Sequence, residues 1–297
     1  MASAGAVRHY EVRPLHPTSS ESSPRTHRQF GCMVVHSPAA AVIDADLKLA
    51  SELGASCVEV LPRWNALPPA DELRSKIESS GLEIWSVHGP WGRRSICSER
   101  VDLADTNPRL RQESLEDLLR ASDWAVALGA KVLVVHPGGL SEAEDFQARF
   151  DHLRDSLGRM ASAAWPMGLR IGVENMPKGV YPGSRMEDLA KIVREIDHPG
   201  LGLVLDTGHA RISAAVVAET VAAEGWLIST HVHDNEGRAD SHKPPGEGSI
   251  DWPEWFATLD RIRYSGPIML ECIRALRERN PAFSPEWLHW WRDLVIL

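Results

Sequence analysis

The sequence predicts an α/β fold, a (β/α)8 TIM barrel in a single domain behind a disordered N-terminal leader. Three observations carry this. A unit of short apolar run, loop and amphipathic helix recurs eight times between residues 29 and 297. The runs are apolar throughout, as in parallel strands covered on their outer face. The glycine-rich dinucleotide fingerprint of the competing doubly wound sheet is missing after the first strand.

Residues 1–28 are rich in Ser, Pro, Arg and His, without apolar periodicity, and read as the leader. The barrel is expected over 29–297. Its first run is Phe30–Val35, followed by a helix over Ala40–Leu53 that stops at Gly54. The second is Cys57–Leu61, with a helix over Ala70–Ser80 before Gly81. The third, Leu82–His88, leads into a long loop holding Trp91, Arg93 and Arg94, then a helix over Pro108–Leu128 before Gly129. The fourth, Lys131–His136, precedes Pro-Gly-Gly and a helix over Ser141–Trp165. Leu169–Glu174 is followed by a helix over Ser184–Ile196, and Leu201–Asp206 by one over Ala214–Ala223. Leu227–His233 runs into a polar loop and a helix over Trp252–Ile262. Pro267–Glu271 is the eighth strand, before a Trp-rich C-terminal helix. Gly closing a helix just ahead of the next strand is ordinary C-cap chemistry.

The formal charge of -9 argues against non-specific binding to nucleic acid or to an anionic membrane. No run reaches transmembrane length, and the N-terminus lacks a signal pattern. The four cysteines, Cys32, Cys57, Cys97 and Cys272, show no CxxC and no disulfide-like clustering. A reducing, cytoplasmic setting is expected. Trp287, Trp290 and Trp291 are read as packing of the last helix on the barrel, or as a contact between subunits of a homo-oligomer.

The chemistry lies at the strand ends. Strands three to eight each finish on an ionisable residue: His88, His136, Glu174, Asp206, His231 and Glu271. In a barrel these ends converge on the C-terminal face, where active sites of this fold sit. His209 follows Asp206 by three residues, and Asp240 and His242 lie in the loop after the seventh strand. These nine groups are of metal-ligand type, and a bound cation would offset the cost of burying their carboxylates. His233 reads as a supporting residue. Trp91, beside His88, is a candidate to stack on a sugar face, whereas Trp85 reads as core. Lys178, Arg93, Arg94 and Arg274 read as solvated charges.

Several short motifs carry a family resemblance: Ser86-Val87-His88-Gly89-Pro90, His136-Pro137-Gly138-Gly139, Val173-Glu174-Asn175, Leu205-Asp206-Thr207-Gly208-His209, His231-x-x-Asp234, Asp240-x-His242 with Pro245-Gly246-Glu247-Gly248, and Leu270-Glu271. In their order on the strand ends, they resemble the xylose isomerase-like, endonuclease IV-type TIM barrels, a superfamily that includes sugar isomerases and epimerases. The resemblance runs from Phe30 onward. It implies a metal site of Glu174, Asp206, His231 and Glu271, with the two Glu as the acid/base pair that moves a proton beside a carbonyl. For three-metal, endonuclease-like members it implies five further ligands, which match His88, His136, His209, Asp240 and His242. In isomerase-like members several of these His serve as substrate contacts instead. The tagatose-type epimerases carry a further Glu six residues past the first metal Glu, where this chain has Val180. Where they carry an Arg six past the metal His, this chain has Gly237, with Arg238 one place later.

The expectation is therefore a divalent-metal-dependent isomerase or epimerase of carbohydrate metabolism. Its substrate would be a sugar, sugar phosphate or related carbonyl compound. Glu174 and Glu271 would be catalytic, and His88, Trp91, His136, His209 and Arg238 would contact substrate. Mn or Mg suits two Glu, one Asp and one His, with Co or Zn as alternatives, and a multinuclear cluster would take Zn or Fe. The alternative function is a multinuclear phosphodiesterase of the abasic-site endonuclease kind, and a third is a non-catalytic metabolite-binding barrel.

Overall fold

The computed structural model describes residues 28–37, 40–279 and 285–296. The leader expected at the N-terminus, apart from Arg28, lies outside the described residues. Arg28 itself is buried, donating from Nε to the Tyr264 carbonyl at 3.1 Å and pairing with Asp260.

Eight strands form the barrel: β1 (Phe30–Val35), β2 (Cys57–Leu61), β3 (Glu83–His88), β4 (Val132–Val135), β5 (Arg170–Glu174), β6 (Leu201–Asp206), β7 (Leu227–His231) and β8 (Ile268–Leu270). Each pairs in parallel with its sequence neighbour from β1 to β7, and β1 also pairs with β8. The β7–β8 seam is closed by a single parallel bridge, Val232 to Leu270. Val232 N–H donates to the Met269 carbonyl at 2.8 Å, and Glu271 N–H donates to the Val232 carbonyl at 3.1 Å. The Thr230 hydroxyl joins there, donating to the Pro267 carbonyl at 3.0 Å and accepting from Met269 N–H at 3.2 Å. The fold is thus a TIM barrel, nearly closed, with one thin seam.

The helices are α1 (Ala40–Leu53), α2 (Ala70–Ser79), α3 (Pro108–Leu128), α4 (Phe146–Ala164), α5 (Met186–Ile196), α6 (Thr207–Ser213), α7 (Val216–Ala222), α8 (Trp252–Arg261), α9 (Ile273–Arg279) and α10 (Pro285–Ile296). The main core lies between this layer and the outward strand faces, with Val58, Val60, Leu133, Val135, Leu203 and Leu205 against the helices. A smaller cluster of Val132, Val134, Val204 and Ile228 fills the barrel, with Trp85 against it. α3 shows the end chemistry clearly. Asn107 caps it by accepting from the N–H groups of Arg109 and Leu110, and Gly129 closes it at φ 90, a left-handed angle that suits glycine. Trp291 of α10 is buried edge-on against Phe30, Phe256 and Trp252, so the Trp-rich helix packs on the barrel. No helix among the described residues is long and apolar enough to cross a membrane.

Two helices, α6 and α9, fall outside the expected set. The helix expected over Ala214–Ala223 is α7, and α6 precedes it directly at the end of β6. The Asp206 side chain caps α6, accepting from His209 N–H at 2.7 Å. A capping carboxylate at the strand end lets the chain turn straight into a helix.

Buried carboxylates hold the rim loops. Asp117 accepts from the N–H groups of Ile96, Cys97 and Ser98 and from the Ser98 hydroxyl. Asp102 receives Gly139 N–H at 3.1 Å and Arg149 Nη2 at 3.1 Å, joining the β3 and β4 loops. Asp234, fully buried, accepts from Asn235 N–H at 2.8 Å, Gly246 N–H at 3.0 Å and Trp252 Nε1 at 2.9 Å. Asp234→Ala would strand these donors inside the protein. It is expected to lower unfolding stability by about 3 kcal/mol, as read by urea denaturation, since bonds to charged acceptors contribute about 1.5–3 kcal/mol each.

Candidate active site

Eight of the nine ligand-type residues singled out by sequence line, or lie directly beneath, one pocket at the C-terminal end of the strands. The pocket has a volume of about 990 Å³ and is lined by His88, His136, Glu174, His209, Asp240, His242 and Glu271, among others. Asp206 lies beneath it, 3.6 Å from His209. The ninth, His231, is fully buried at the centre. Its Nδ1 lies 3.1 Å from Glu174 and 3.2 Å from Glu271.

Glu174 is the hub. One oxygen faces His136 at 3.4 Å and His88 at 3.6 Å, while the other faces His231 at 3.1 Å and His209 at 3.5 Å. Backbone carbonyls fix two of the rings. His88 Nδ1 lies 2.9 Å from the Gly89 carbonyl and His209 Nδ1 lies 2.9 Å from the Asn175 carbonyl. As donors to these carbonyls, both rings keep Nε2 for the site. Asn175 also bonds both backbone groups of Asp206, at 2.8 and 3.1 Å.

His233 supports rather than lines the site. Its Nε2 meets the Asp206 carboxylate at 3.0–3.1 Å and its ring stacks on His242 at 4.0 Å. Gly208 makes room for it: a Cβ there would fall 1.9 Å from the His233 ring. Asp240 bridges the rings of His242 and His209, at 3.1 and 3.3 Å. Trp91 lies in the pocket with its ring 4.6 Å from that of His88, and the Arg94 guanidinium stands over the Trp91 ring at 4.7 Å. Arg238 is not brought to the pocket. The chain turns at Gly237, φ 75, whose N–H is held by Asn235, and Arg238 is left exposed.

The electrostatics follow from burial against pairing. Burial opposes the charge on Glu174, but His231 first, and the nearby His136 and His88 imidazoles, hold it well below the usual carboxylate range. Glu271 is likewise lowered against burial by His231. Burial works against His231 too, yet Glu59, Glu174 and Glu271 together raise it. His209 is pushed up to about 10, burial being outweighed by Asp206 and Asp240. His242 is pushed up to about 9, mainly by Asp240 against burial. Asp206 is raised by burial.

Several groups have ligand atoms within 4.8 Å of one another: Glu174, Asp206, His231 and Glu271; His88, His136 and Glu174; Asp206, His209 and His233. The donor set fits a divalent cation. Glu174 Oε2, Glu271 Oε2 and His231 Nδ1 are buried polar atoms without a hydrogen-bond partner among the described residues, which a cation would satisfy.

Sequence reading missed Glu59. It lies in the middle of β2, fully buried, 2.9 Å from His231 Nε2. The available signal was a carboxylate inside the apolar run Cys57-Val58-Glu59-Val60-Leu61, which is costly without a partner.

A family model described as xylose isomerase-like TIM barrel matches residues 47–294. The chain belongs to this family. It is 34% identical over 207 residues to an uncharacterized protein of Methanocaldococcus jannaschii, covering 67% of each chain. It is 26% identical over 256 residues to a probable endonuclease 4 of Mycobacterium marinum, covering 82% of this chain and 95% of that one. Among solved structures it resembles a D-tagatose 3-epimerase-like protein with TM-score 0.72 and 25% identity, over 90% of this chain and 98% of the other.

The Asp240 link gives a pH signature. The raised His209 and His242 contribute stability that is complete below their ordinary value of 6.5 and lost as pH rises through about 9 to 10. With chelator present, Asp240→Asn is therefore expected to lower the melting temperature most between about pH 5 and 6.5. The deficit should shrink above about pH 9 in a series of thermal melts.

Proposed function

We propose that the protein is a divalent-metal-dependent isomerase or epimerase of a small carbonyl compound such as a sugar or sugar acid. The observation that carries this is the pocket itself. Its volume suits a small molecule, and its walls bring Trp91, Leu140, Met176, Val180 and Ile273 over a floor that includes Glu174 and Glu271. The similarity to a D-tagatose 3-epimerase-like structure supports the reading. Val180 is buried and apolar where tagatose-type enzymes carry a Glu, which argues for a substrate with a different polar pattern.

Glu174, Asp206, His231 and Glu271 would hold the cation. When bound, it would polarise the substrate carbonyl and stabilise the negative charge that develops as a proton leaves the neighbouring carbon. Glu271, ionised and open to the pocket, takes that proton, and the C–H electron pair passes toward the carbonyl. Return of the proton to the former carbonyl carbon, with the neighbouring hydroxyl proton passing to the carbonyl oxygen, gives isomerisation. Delivery of a proton to the starting carbon from the opposite face gives epimerisation, and needs a Glu174 that has first taken a proton from solvent. Trp91 offers a face for the carbon skeleton, and His88, His136 and His209 hold hydroxyl groups. The setting is proposed to be cytoplasmic.

A second reading, a metal-dependent phosphodiesterase, is favoured by one specific observation. Glu174 presents its two oxygens to two different sets of rings, and His209, Asp240 and His242 form a further linked group. In that case all nine groups would hold Zn- or Fe-class ions, and water would displace the alcohol at phosphorus, the P–O bond to that alcohol breaking as the new one forms. The endonuclease 4 relative supports it, and the formal charge of -9 weighs against a nucleic-acid substrate.

Two measurements separate these readings. Incubation with keto-sugars and sugar acids in D2O is expected to exchange a proton beside the carbonyl, seen by NMR, with one Mn- or Mg-class ion per chain. Three tightly held ions and nicking of abasic-site DNA, with no exchange, would sink the isomerase reading. Glu271→Gln is expected to cut kcat at least about 100-fold while the protein stays folded. Retained turnover would remove Glu271 from the proton path.

A further inference from the structure

Glu59 is used neither by the proton path nor by the proposed ligand set. It is nonetheless fully buried, on a strand whose flanking Val58 and Val60 face the outer core. A carboxylate kept there without a task would be a standing cost. Its two oxygens meet two different groups. The Ser86 hydroxyl donates to Oε2 at 2.5 Å, and His231 Nε2 lies 2.9 Å from Oε1.

The orientation of the site imidazoles gives this contact its meaning. His88 sets Nδ1 against the Gly89 carbonyl and turns Nε2 to Glu174, and His209 sets Nδ1 against the Asn175 carbonyl and turns Nε2 to Asp240. His231 is reversed. Its Nδ1 faces Glu174 and Glu271, and its Nε2 points into the barrel. That nitrogen makes no hydrogen bond of good angle among the described residues, and the Glu59 carboxylate, at 2.9 Å, is its ion-pair contact. The part that Gly89 and Asn175 carbonyls play for their rings falls, for His231, to a side chain.

We propose that Glu59, anchored by Ser86, is the positioning residue of the centre: its carboxylate takes the Nε2–H of His231 and fixes the ring with the Nδ1 lone pair turned to Glu174, Asp206 and Glu271. A carboxylate on the far nitrogen of a ligating imidazole sets its tautomer and raises the basicity of the near nitrogen. The inference rests on the reading of these four residues as a metal site. The competing role is direct ligation, since Glu59 also lies within 4.8 Å of His88 and His231 ligand atoms.

The test is Mn2+ titration of the metal-stripped full-length protein, with free Mn2+ read by EPR and the Co2+ form read by visible absorption. Glu59→Ala is expected to weaken Mn2+ binding roughly 10- to 100-fold with the number of ions per chain unchanged, and to shift the Co2+ bands. Glu59→Gln keeps an oxygen acceptor and should recover most of the affinity. Wild-type affinity and spectrum in Glu59→Ala overturn the proposal, and so does loss of one bound ion, which would make Glu59 a ligand. Should Glu59→Ala fail to fold, Ser86→Ala decides: a loss of roughly tenfold is expected, and unchanged affinity overturns. A wild-type protein that binds neither ion overturns the metal reading and this inference with it, whereas normal wild-type binding beside an unaffected Glu59→Ala overturns the positioning role alone.

Discussion

One imidazole held among three carboxylates is the interaction on which the site depends. His231 touches Glu59 on one side and Glu174 and Glu271 on the other, with all but Glu271 almost wholly shut off from water. Removing such carboxylates from solvent is expensive unless a partner of opposite charge accompanies them. The partners come from β2, β5, β7 and the end of β8, so no local segment builds the cluster. It exists only once the barrel has closed. The seam between β7 and β8 is a single bridge at Val232 and Leu270, one residue from His231 and one from Glu271. The thinnest part of the sheet therefore carries two of the central groups. Thr230 reinforces it with side-chain bonds where backbone pairing runs short.

The loops above this centre are built on the same economy of buried charge. Asp117 and Asp234 each gather backbone N–H groups from one loop, Asp102 takes them from the β3 and β4 loops, and Arg149 links the Asp102 carboxylate to the Tyr181 carbonyl in the β5 loop. Bonds to an ionised acceptor are about twice as strong as neutral ones. A loop folded round one carboxylate has few alternatives, and the side chains it carries inherit that order. Asp240 and His242 owe their placement to Asp234, which fixes the chain on both sides of them.

The sequence was most informative where function and periodicity coincide. Strand ends are marked both by the stop of an apolar run and by an ionisable residue, so His88, Glu174, Asp206 and His231 could be placed before any coordinates. The register of side chains within a strand is less legible. Glu59 looks like a polar interruption, and only the barrel's curvature shows that its side chain and the far side of His231 meet. α6 was hidden because its cap, Asp206, also read as a strand end, and one residue serves both purposes. Arg238 failed for a related reason. Its place in the loop depends on the turn at Gly237, and spacing along the chain does not carry that angle.

Glu174 is where the two chemical readings become exclusive. Its two oxygens point to different ring sets, His88 and His136 on one side, His231 and His209 on the other. Were cations held on both sides, both oxygens would face a positive charge and Glu174 would be a weaker base. Proton transfer would then fall to Glu271 alone, which suits isomerisation with return by the same group and disfavours epimerisation across two faces. Were a single cation held beside His231, the Glu174 oxygen that faces His88 and His136 would be available to carry a proton. Asp240 and His242, more open to solvent, lie on the loop that Asp234 holds on both sides of them. The strands thus fix the buried surroundings of Glu174 and His231, while the groups above them depend on a loop.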